Sequence, residues 1–311
     1  MSKYPFMTYV NSFMNRMKDI YAPITWDTVM RRYRRINKDV LALHKEGKIS
    51  TTSPNLMTAD DVRVYLTYRH SLGLSGKEYA HDQSAMIKLF DFVKNIAFKE
   101  CLMMYPILKA RKKHVRLPPL EDDTYATILK NALSLKSNDF HGHRAYCLVL
   151  LCARTGTRTK EIRLAELQDL DTKEWMLNII NVKGQDSYGE PRCVPIHPEI
   201  RPVVESYLLL RHNWLISGSM ESTALFPSVS SEDGFLTSNS LRRIKGRVEG
   251  DIGVNFDFRK LRRTFGQQLV DAGVDIESVS VAMGHATTKT TELNYARKRS
   301  SKANEKIRGS W

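Results

Sequence analysis

Arginine, histidine and tyrosine recur at helix boundaries in the stretch from Asp257 to Tyr295, DFRKLRRTFGQQLVDAGVDIESVSVAMGHATTKTTELNY. Arg259 and Arg262 lie three positions apart, a spacing that shares one face of a helix. Guanidinium groups stay charged at neutral pH and present forked donors to an oxyanion. His285 directly follows a helix stop at Gly284, and Tyr295 closes the next helical run. Upstream, Arg158 stands between Thr157 and Thr159 at a turn that opens another helix. Backbone N–H groups at such a turn already favour an anion, and a guanidinium adds to that. The alternative for Arg158 is a structural pair with Glu161, three residues on. Lys183 lies at the mouth of a hairpin, where a lysine by itself reads as a solvated charge. Any one of these residues is ordinary. Together they offer oxyanion ligands, an imidazole and a phenol.

The elements that must position them follow from apolar spacing. Phe258, Leu261, Phe265 and Leu269 form a buried helical stripe, and Gly273 ends that helix. Val274, Ile276 and Val279 belong to a shorter helix stopped by Gly284. The Thr287–Thr291 run caps a last helix that carries Tyr295. RAYCLVLLCA is apolar nearly all round and predicts a central buried helix ending at Thr155-Gly156. Ile162, Leu164 and Leu167 continue in an amphipathic helix. Trp175 to Val182 alternate like a strand, 184–189 has turn chemistry, and Arg192 to Ile196 reads as the returning strand. A helix with Val203, Val204, Tyr207 and Leu208 follows, then a Ser-rich loop over 217–240. In LRRIKGRV, Leu241, Ile244 and Val248 point inward while Arg242, Arg243, Lys245 and Arg247 stay out.

Residues 1 to about 110 read as all helix. Trp26, Val29, Met30, Tyr33, Ile36, Val40 and Leu43 make one stripe, with Thr25 as its N-cap and Gly47 at its end. The opposite face carries Arg31, Arg32, Arg34, Arg35 and Lys38, which is either a nucleic-acid contact or a solvated face. Thr58 caps a further helix. Over 111–118 the composition turns basic and Pro-containing, as in a linker. The expected organisation is therefore a helical domain over 1–110, a basic linker over 111–118, and a second domain over 119–311.

The chain of 311 residues carries 48 basic and 34 acidic side chains, a formal charge of +14. That favours a polyanionic partner, nucleic acid before a membrane surface. No run of about 18 apolar residues exists, and no basic amphipathic helix stands apart from the folded segments, so no membrane association is expected. Cys101, Cys147, Cys152 and Cys193 lack CxxC spacing, which fits free thiols in a reduced, cytoplasmic setting. The N-terminus has no signal-peptide core. No carboxylate cluster of the kind that holds two metals is present, and no cofactor is expected.

Thr155-Gly156-Thr157-Arg158 followed by Lys160-Glu161-Ile162, Lys183 in a hairpin, RKLRRTFGQQL and MGHATTKTTELNY occur in that order. With these motifs the chain resembles the tyrosine recombinase family, also called the phage integrase or Xer-like family, over nearly its whole length. The resemblance implies a mainly α fold: a helical core-binding domain plus a mostly α catalytic domain with a small antiparallel β-sheet, forming a C-shaped clamp on DNA. It implies site-specific cutting and rejoining of double-stranded DNA, in integration or a related recombination of a mobile element. Tyr295 would attack a phosphodiester to give a 3′-phosphotyrosyl link. Arg158 and Arg262 would hold the non-bridging oxygens, Lys183 would protonate the leaving 5′-oxygen, and His285 would donate to a phosphoryl oxygen or support the tyrosine. No metal is needed beside that much fixed positive charge. A homo-tetramer on DNA, and a monomer or dimer when free, would also follow, with Trp311 as a possible anchor on a neighbouring subunit.

One position departs from the pattern. The family most often has His where this chain has Arg259. An arginine is no general base near neutral pH, so Arg259 becomes a further phosphate ligand and the proton acceptor passes to His285, water or the phosphate. The competing readings are a type IB topoisomerase-like relaxing enzyme and a non-catalytic DNA-binding protein.

Overall fold

The apolar run RAYCLVLLCA becomes the middle of helix α7, Phe140–Thr155, and every residue from Ala145 to Ala153 is buried. A helix with no polar face has no surface to offer water, so other elements must enclose it. The computed structural model describes residues 5–110, 117–182, 189–295, 304 and 307–310. Lys183, residues 111–116 of the basic stretch and Trp311 lie outside the described residues. The chain divides into two compact units, Met1–Val115 and Arg116–Trp311.

The first unit contains helices α1 (Pro5–Arg16), α2 (Pro23–Lys45), α3 (Ala59–Ser71), α4 (Gly76–Phe92) and α5 (Ala97–Met104). Met30, Tyr33, Ile36, Val40 and Leu43 of α2 are buried in one core with Phe6, Val62, Tyr65, Met86 and Phe98. Thr25 is not the N-cap of α2. The helix begins two residues earlier, with Pro23 in its first turn and Ala22 at the cap position. Proline's fixed φ suits that first turn and its missing N–H is no loss there. Thr58 does cap α3: its hydroxyl accepts from the Asp61 N–H at 3.2 Å, and the Asp61 carboxylate accepts from the Thr58 N–H at 2.9 Å. Helix α5 has too few apolar repeats to be read from sequence.

In the second unit α6 (Asp122–Leu133), α9 (Arg201–Ser217), α10 (Ser238–Ile252) and α11 (Phe258–Asp271) surround α7. The short α8 (Thr159–Arg163) follows α7, and α12 (Ile276–Met283) and α13 (Thr288–Tyr295) complete the order. Between α8 and α9 lies an antiparallel sheet of β1 (Leu170–Asp171), β2 (Met176–Ile179) and β3 (Arg192–Pro195), in the order β1-β2-β3. Leu177 opposes both Leu170 and Val194, which aligns three apolar side chains on one face of the sheet. The expected hairpin is thus β2–β3. The two-residue β1 is too short to leave a period in the sequence. No helix among the described residues is long and apolar enough to cross a membrane.

Candidate active site and nucleic-acid interface

Three arginines from three different elements converge on one helix end. Arg158, at the N-cap position of α8, donates through Nη2 to the Gly284 carbonyl at 2.7 Å. Arg192, on β3, donates through Nε to the Ala282 carbonyl at 2.9 Å. Arg262, on α11, donates to the carbonyls of Met283 and Gly156. The consecutive carbonyls of residues 282 to 284 belong to the C-terminus of α12, where helix oxygens lack intrahelical partners and the dipole favours cations. Two glycines make the approach possible. Gly284 has φ +58°, and a Cβ there would stand 2.7 Å from Arg192 Nη1. Gly156 has φ +63°, and a Cβ there would stand 2.4 Å from the Phe265 ring. Glycine alone meets both demands without strain.

The cluster has one buried carboxylate. Glu161, 3% exposed, accepts from Arg158 Nη1 at 2.6 Å and from the Arg158 N–H at 2.7 Å. It also accepts from Arg192 Nη2 at 2.8 Å. Burial works to raise its carboxyl, but the hydrogen bonds and charge of Arg192, with those of Arg158, outweigh it and hold the group below the usual carboxylate range. The structural pairing of Arg158 with Glu161 and a place in the cluster are therefore both realised. Positive charge still exceeds negative. Burial, then the charge of Arg158, push the Arg262 guanidinium down to about 9. It remains a cation at neutral pH, and among the described contacts it bonds to main-chain carbonyls and pairs with no carboxylate directly.

His285 and Tyr295 sit beside this cluster. Burial first, then Arg262, Arg158 and Arg192, push the His285 imidazole down to about 4. It is neutral at pH 7, with Nδ1 2.7 Å from the Thr291 hydroxyl. Its ring lies nearly parallel to that of Tyr295, centroids 6.1 Å apart. Tyr295 is the last residue of α13 and is 5% exposed. Its ring packs on Gly266 of α11, where a Cβ would stand 2.7 Å from Cε1. The Arg263 guanidinium lies 4.8 Å from the ring centroid on another side. Arg263 in turn donates to the Leu117 carbonyl at 2.6 Å and to Asn294 Oδ1 at 3.0 Å, so it ties α13 to α11.

Arg158, Arg262, His285 and Tyr295 are thus brought together. Arg259 is not. Its side chain is 72% exposed and pairs with Asp257 at 2.9 Å, which is itself the N-cap of α11. Three apart on a helix still means about 60° around its axis, enough here to turn Arg259 to solvent while Arg262 goes in. Lys183 lies outside the described residues. Arg192, Arg263, Gly266 and Thr291 were not singled out by sequence. Arg192 read only as the first residue of a strand, and its partners Glu161 and Ala282 are 31 and 90 positions away.

The basic faces divide in the same way. Asp82, 2% exposed in its side chain, accepts Arg35 Nη2 at 2.6 Å and stands 3.2 Å from Arg32 Nε. Arg69, 3% exposed, also pairs with Asp82 and reaches Asp39 at 2.9 Å. Arg32 and Arg35 therefore hold α2 to α4, and Arg69 ties α3 to both. Arg31, Arg34 and Lys38 stay exposed. On α10, Arg242 and Arg243 are exposed, whereas Lys245 pairs with Glu249 and donates to the Phe256 carbonyl at 2.7 Å. Of the expected contact set, Arg31, Arg34, Arg242 and Arg243 face solvent, whereas Arg32, Arg35 and Lys245 are drawn to acidic partners, remote in sequence for the two α2 arginines and four residues on for Lys245.

The site is one in which fixed cations surround a neutral imidazole and a phenol. The family model of the phage integrase family matches residues 118–302. The chain belongs to that family, the tyrosine-type site-specific recombinases, enzymes that cut and rejoin DNA strands. Among its relatives, tyrosine recombinase XerC of Pseudomonas syringae pv. tomato is 26% identical over 269 residues, covering 85% of this chain and 83% of its own. The fold is similar to that of the XerH site-specific recombinase bound to palindromic difH substrate in a post-cleavage complex, with a TM-score of 0.69, 17% identity, and 91% of this chain and 79% of that one covered. It is also similar to the Tn1549 transposon integrase in complex with transposon right end DNA, with a TM-score of 0.63, 14% identity, and 95% and 97% covered.

Proposed function

We propose that the chain recombines two double-stranded DNA sites through a 3′-phosphotyrosyl intermediate on Tyr295. The observation that carries this reading is the convergence of Arg158, Arg262 and His285 beside the Tyr295 ring, where three guanidinium groups share the one carboxylate of Glu161. A scissile phosphate balances the excess of positive charge. Arg158 and Arg262 each turn from a main-chain carbonyl to a non-bridging phosphate oxygen, and their charge opposes the charge that builds in the five-coordinate transition state. The Tyr295 oxygen bonds to phosphorus while the bond to the 5′-oxygen breaks, and the phenol proton passes to neutral His285, to water or to the phosphate. Lys183 gives that leaving oxygen its proton. Rejoining is the same exchange in reverse, so the bond energy is kept.

Neutral His285, with Nδ1 engaged by Thr291, has one further ring nitrogen to offer the phosphate or the phenol. Arg259, exposed and paired with Asp257, is not placed to take the phenol proton, and contributes instead to backbone phosphate binding. Arg31, Arg34, Lys38, Arg242 and Arg243 extend the contact with DNA. In this reading the first unit is a core-binding domain, the second a catalytic domain, and the working form is a homo-tetramer on two intracellular DNA sites, with a monomer or dimer in free solution.

Covalent trapping tests the assignment. A nicked substrate that loses the 5′-hydroxyl fragment should leave DNA attached to the denatured wild-type chain and none to Tyr295→Phe. Covalent DNA on Tyr295→Phe overturns it. Random relaxation of supercoiled DNA without recombinant products from two-site DNA points instead to a topoisomerase.

A further inference from the structure

Tyr295 is the final residue of α13. The last carbonyls of a helix have no partner within it, so main-chain bonds alone do not fix the side chain at such an end. The ring is held from α11 instead. Gly266 leaves room for it, and the Arg263 guanidinium stands 4.8 Å from its centroid. Arg263 is 7% exposed, and its fork is used in two directions. Nη1 donates to Oδ1 of Asn294, the residue before Tyr295, at 3.0 Å, and Nε donates to the Leu117 carbonyl at 2.6 Å. A planar guanidinium can lie against a ring while bonding along its edge, which an ammonium cannot. Successive residues of a helix are turned by about 100°. Arg262 accordingly reaches the carbonyls of Met283 and Gly156, while its neighbour Arg263 faces the helix that carries the phenol.

Leu117 belongs to a second fastening. Thr264, the next residue of α11, accepts from the Leu120 N–H at 2.9 Å and donates to the Lys260 carbonyl at 2.9 Å. Between Leu117 and Leu120 stand Pro118 and Pro119, whose rings fix φ and remove the N–H. Residues 117–120 therefore form a short stiff strap, tied at both ends to consecutive side chains of α11. The strap follows the basic stretch 111–116, so it is where the chain leaving the first unit enters the second.

We propose that Arg263 is a positioning residue for strand cleavage: it clamps the Tyr295 ring to the strap at 117–120, so that the seating of the phenol depends on how the chain enters the second unit. The inference rests on the reading of Tyr295 as the nucleophile and adds to it a residue that acts through the ring, without touching the phosphate.

Single-turnover trapping of covalent DNA by the full chain, at saturating nicked substrate, tests the clamp. Arg263→Gln should slow trapping by about tenfold or more, with affinity in a gel-shift assay preserved, and Arg263→Lys, which keeps a cation beside the ring, should recover part of the rate. Should Arg263→Gln fail to fold, as judged by far-ultraviolet dichroism, Asn294→Ala removes one of its anchors and replaces it with the same direction of effect. The strap is tested by Pro118→Gly with Pro119→Gly, which frees its backbone. That pair should slow trapping in an otherwise unaltered chain and add little to Arg263→Gln, since the two act through one contact. Trapping at the unaltered rate by Arg263→Gln or by the glycine pair, equal loss of rate and affinity, or losses that multiply in the combined variant overturn the proposal alone. An unaltered chain that traps no DNA overturns the nucleophile reading and this proposal with it.

Discussion

Glu161 is the one buried carboxylate among three guanidinium groups, and its removal should be felt twice. With Glu161→Gln, Arg158 and Arg192 lose their shared counter-charge in a buried place, at a cost of about 3 kcal/mol. Urea denaturation should show that loss, and trapping of covalent DNA should fall at least tenfold as Arg158 wanders. Gly266 sets a second constraint. Any Cβ there meets the Tyr295 ring, so Gly266→Ala should displace the phenol, costing about 2 kcal/mol by overpacking and most of the cleavage rate, with DNA affinity in a gel-shift assay preserved. His285 makes the site pH-dependent. Folded, it stays neutral down to about 4, whereas the ordinary imidazole takes its proton at 6.5. The unfolded chain therefore binds more protons in that interval. The His285 contribution to stability is complete above 6.5 and lost as pH falls toward 4, on the order of 2 kcal/mol after screening of a half-buried group. His285→Gln should flatten that part of a stability profile; an unchanged slope would assign the acid sensitivity elsewhere. Residue types and order made Arg158, Arg262, His285 and Tyr295 legible in the sequence. Arg192 and Arg263 were not, because a guanidinium's role depends on partners that only folding brings near.

Among the elements, the β2–β3 hairpin is fastened to the site by Arg192, which links β3 to the end of α12 and to Glu161. Lys183 lies in the sequence between these strands. Arg192→Ala should therefore lower the cleavage rate at saturating DNA more than it lowers affinity, and Arg192→Lys, which can keep one of the two bonds, should restore part of it. Equal loss of rate and affinity would show a general collapse of the unit instead. Helix α7 could be read in advance because it is apolar nearly all round and α11 because its stripe runs for three turns, and Gly284 marked a real stop. The start of α2 was misplaced because a threonine cap and a proline first turn compete for the same end, and the proline prevailed. β1 and α5 left no periodic signal, being two and eight residues long. The α2 arginines were legible as a charged cluster but not as two kinds: Asp82, 47 positions from Arg35, decides which of them face solvent.

For the molecule as a whole, a charge of +14 predicts DNA affinity that falls steeply with salt, since each neutralised phosphate releases counterions. Arg31→Gln or Arg242→Gln should each reduce the log–log salt slope by about one, whereas Arg35→Gln, whose charge is internally paired, should lower stability and leave the slope nearly alone. Sedimentation of the chain with two-site DNA should give four protomers per complex, and one or two per particle without DNA. The α12 terminus bears on how such a protein endures change. Its three arginines are gripped by main-chain oxygens of residues 282 to 284, and substitution cannot delete a main-chain oxygen. Lineages can therefore replace the side chains at 282 and 283 and still inherit the same cation geometry, provided the glycine at 284 survives. The resting placement of the three cations is thus heritable through the backbone, and little of the local spelling need be kept for it to persist.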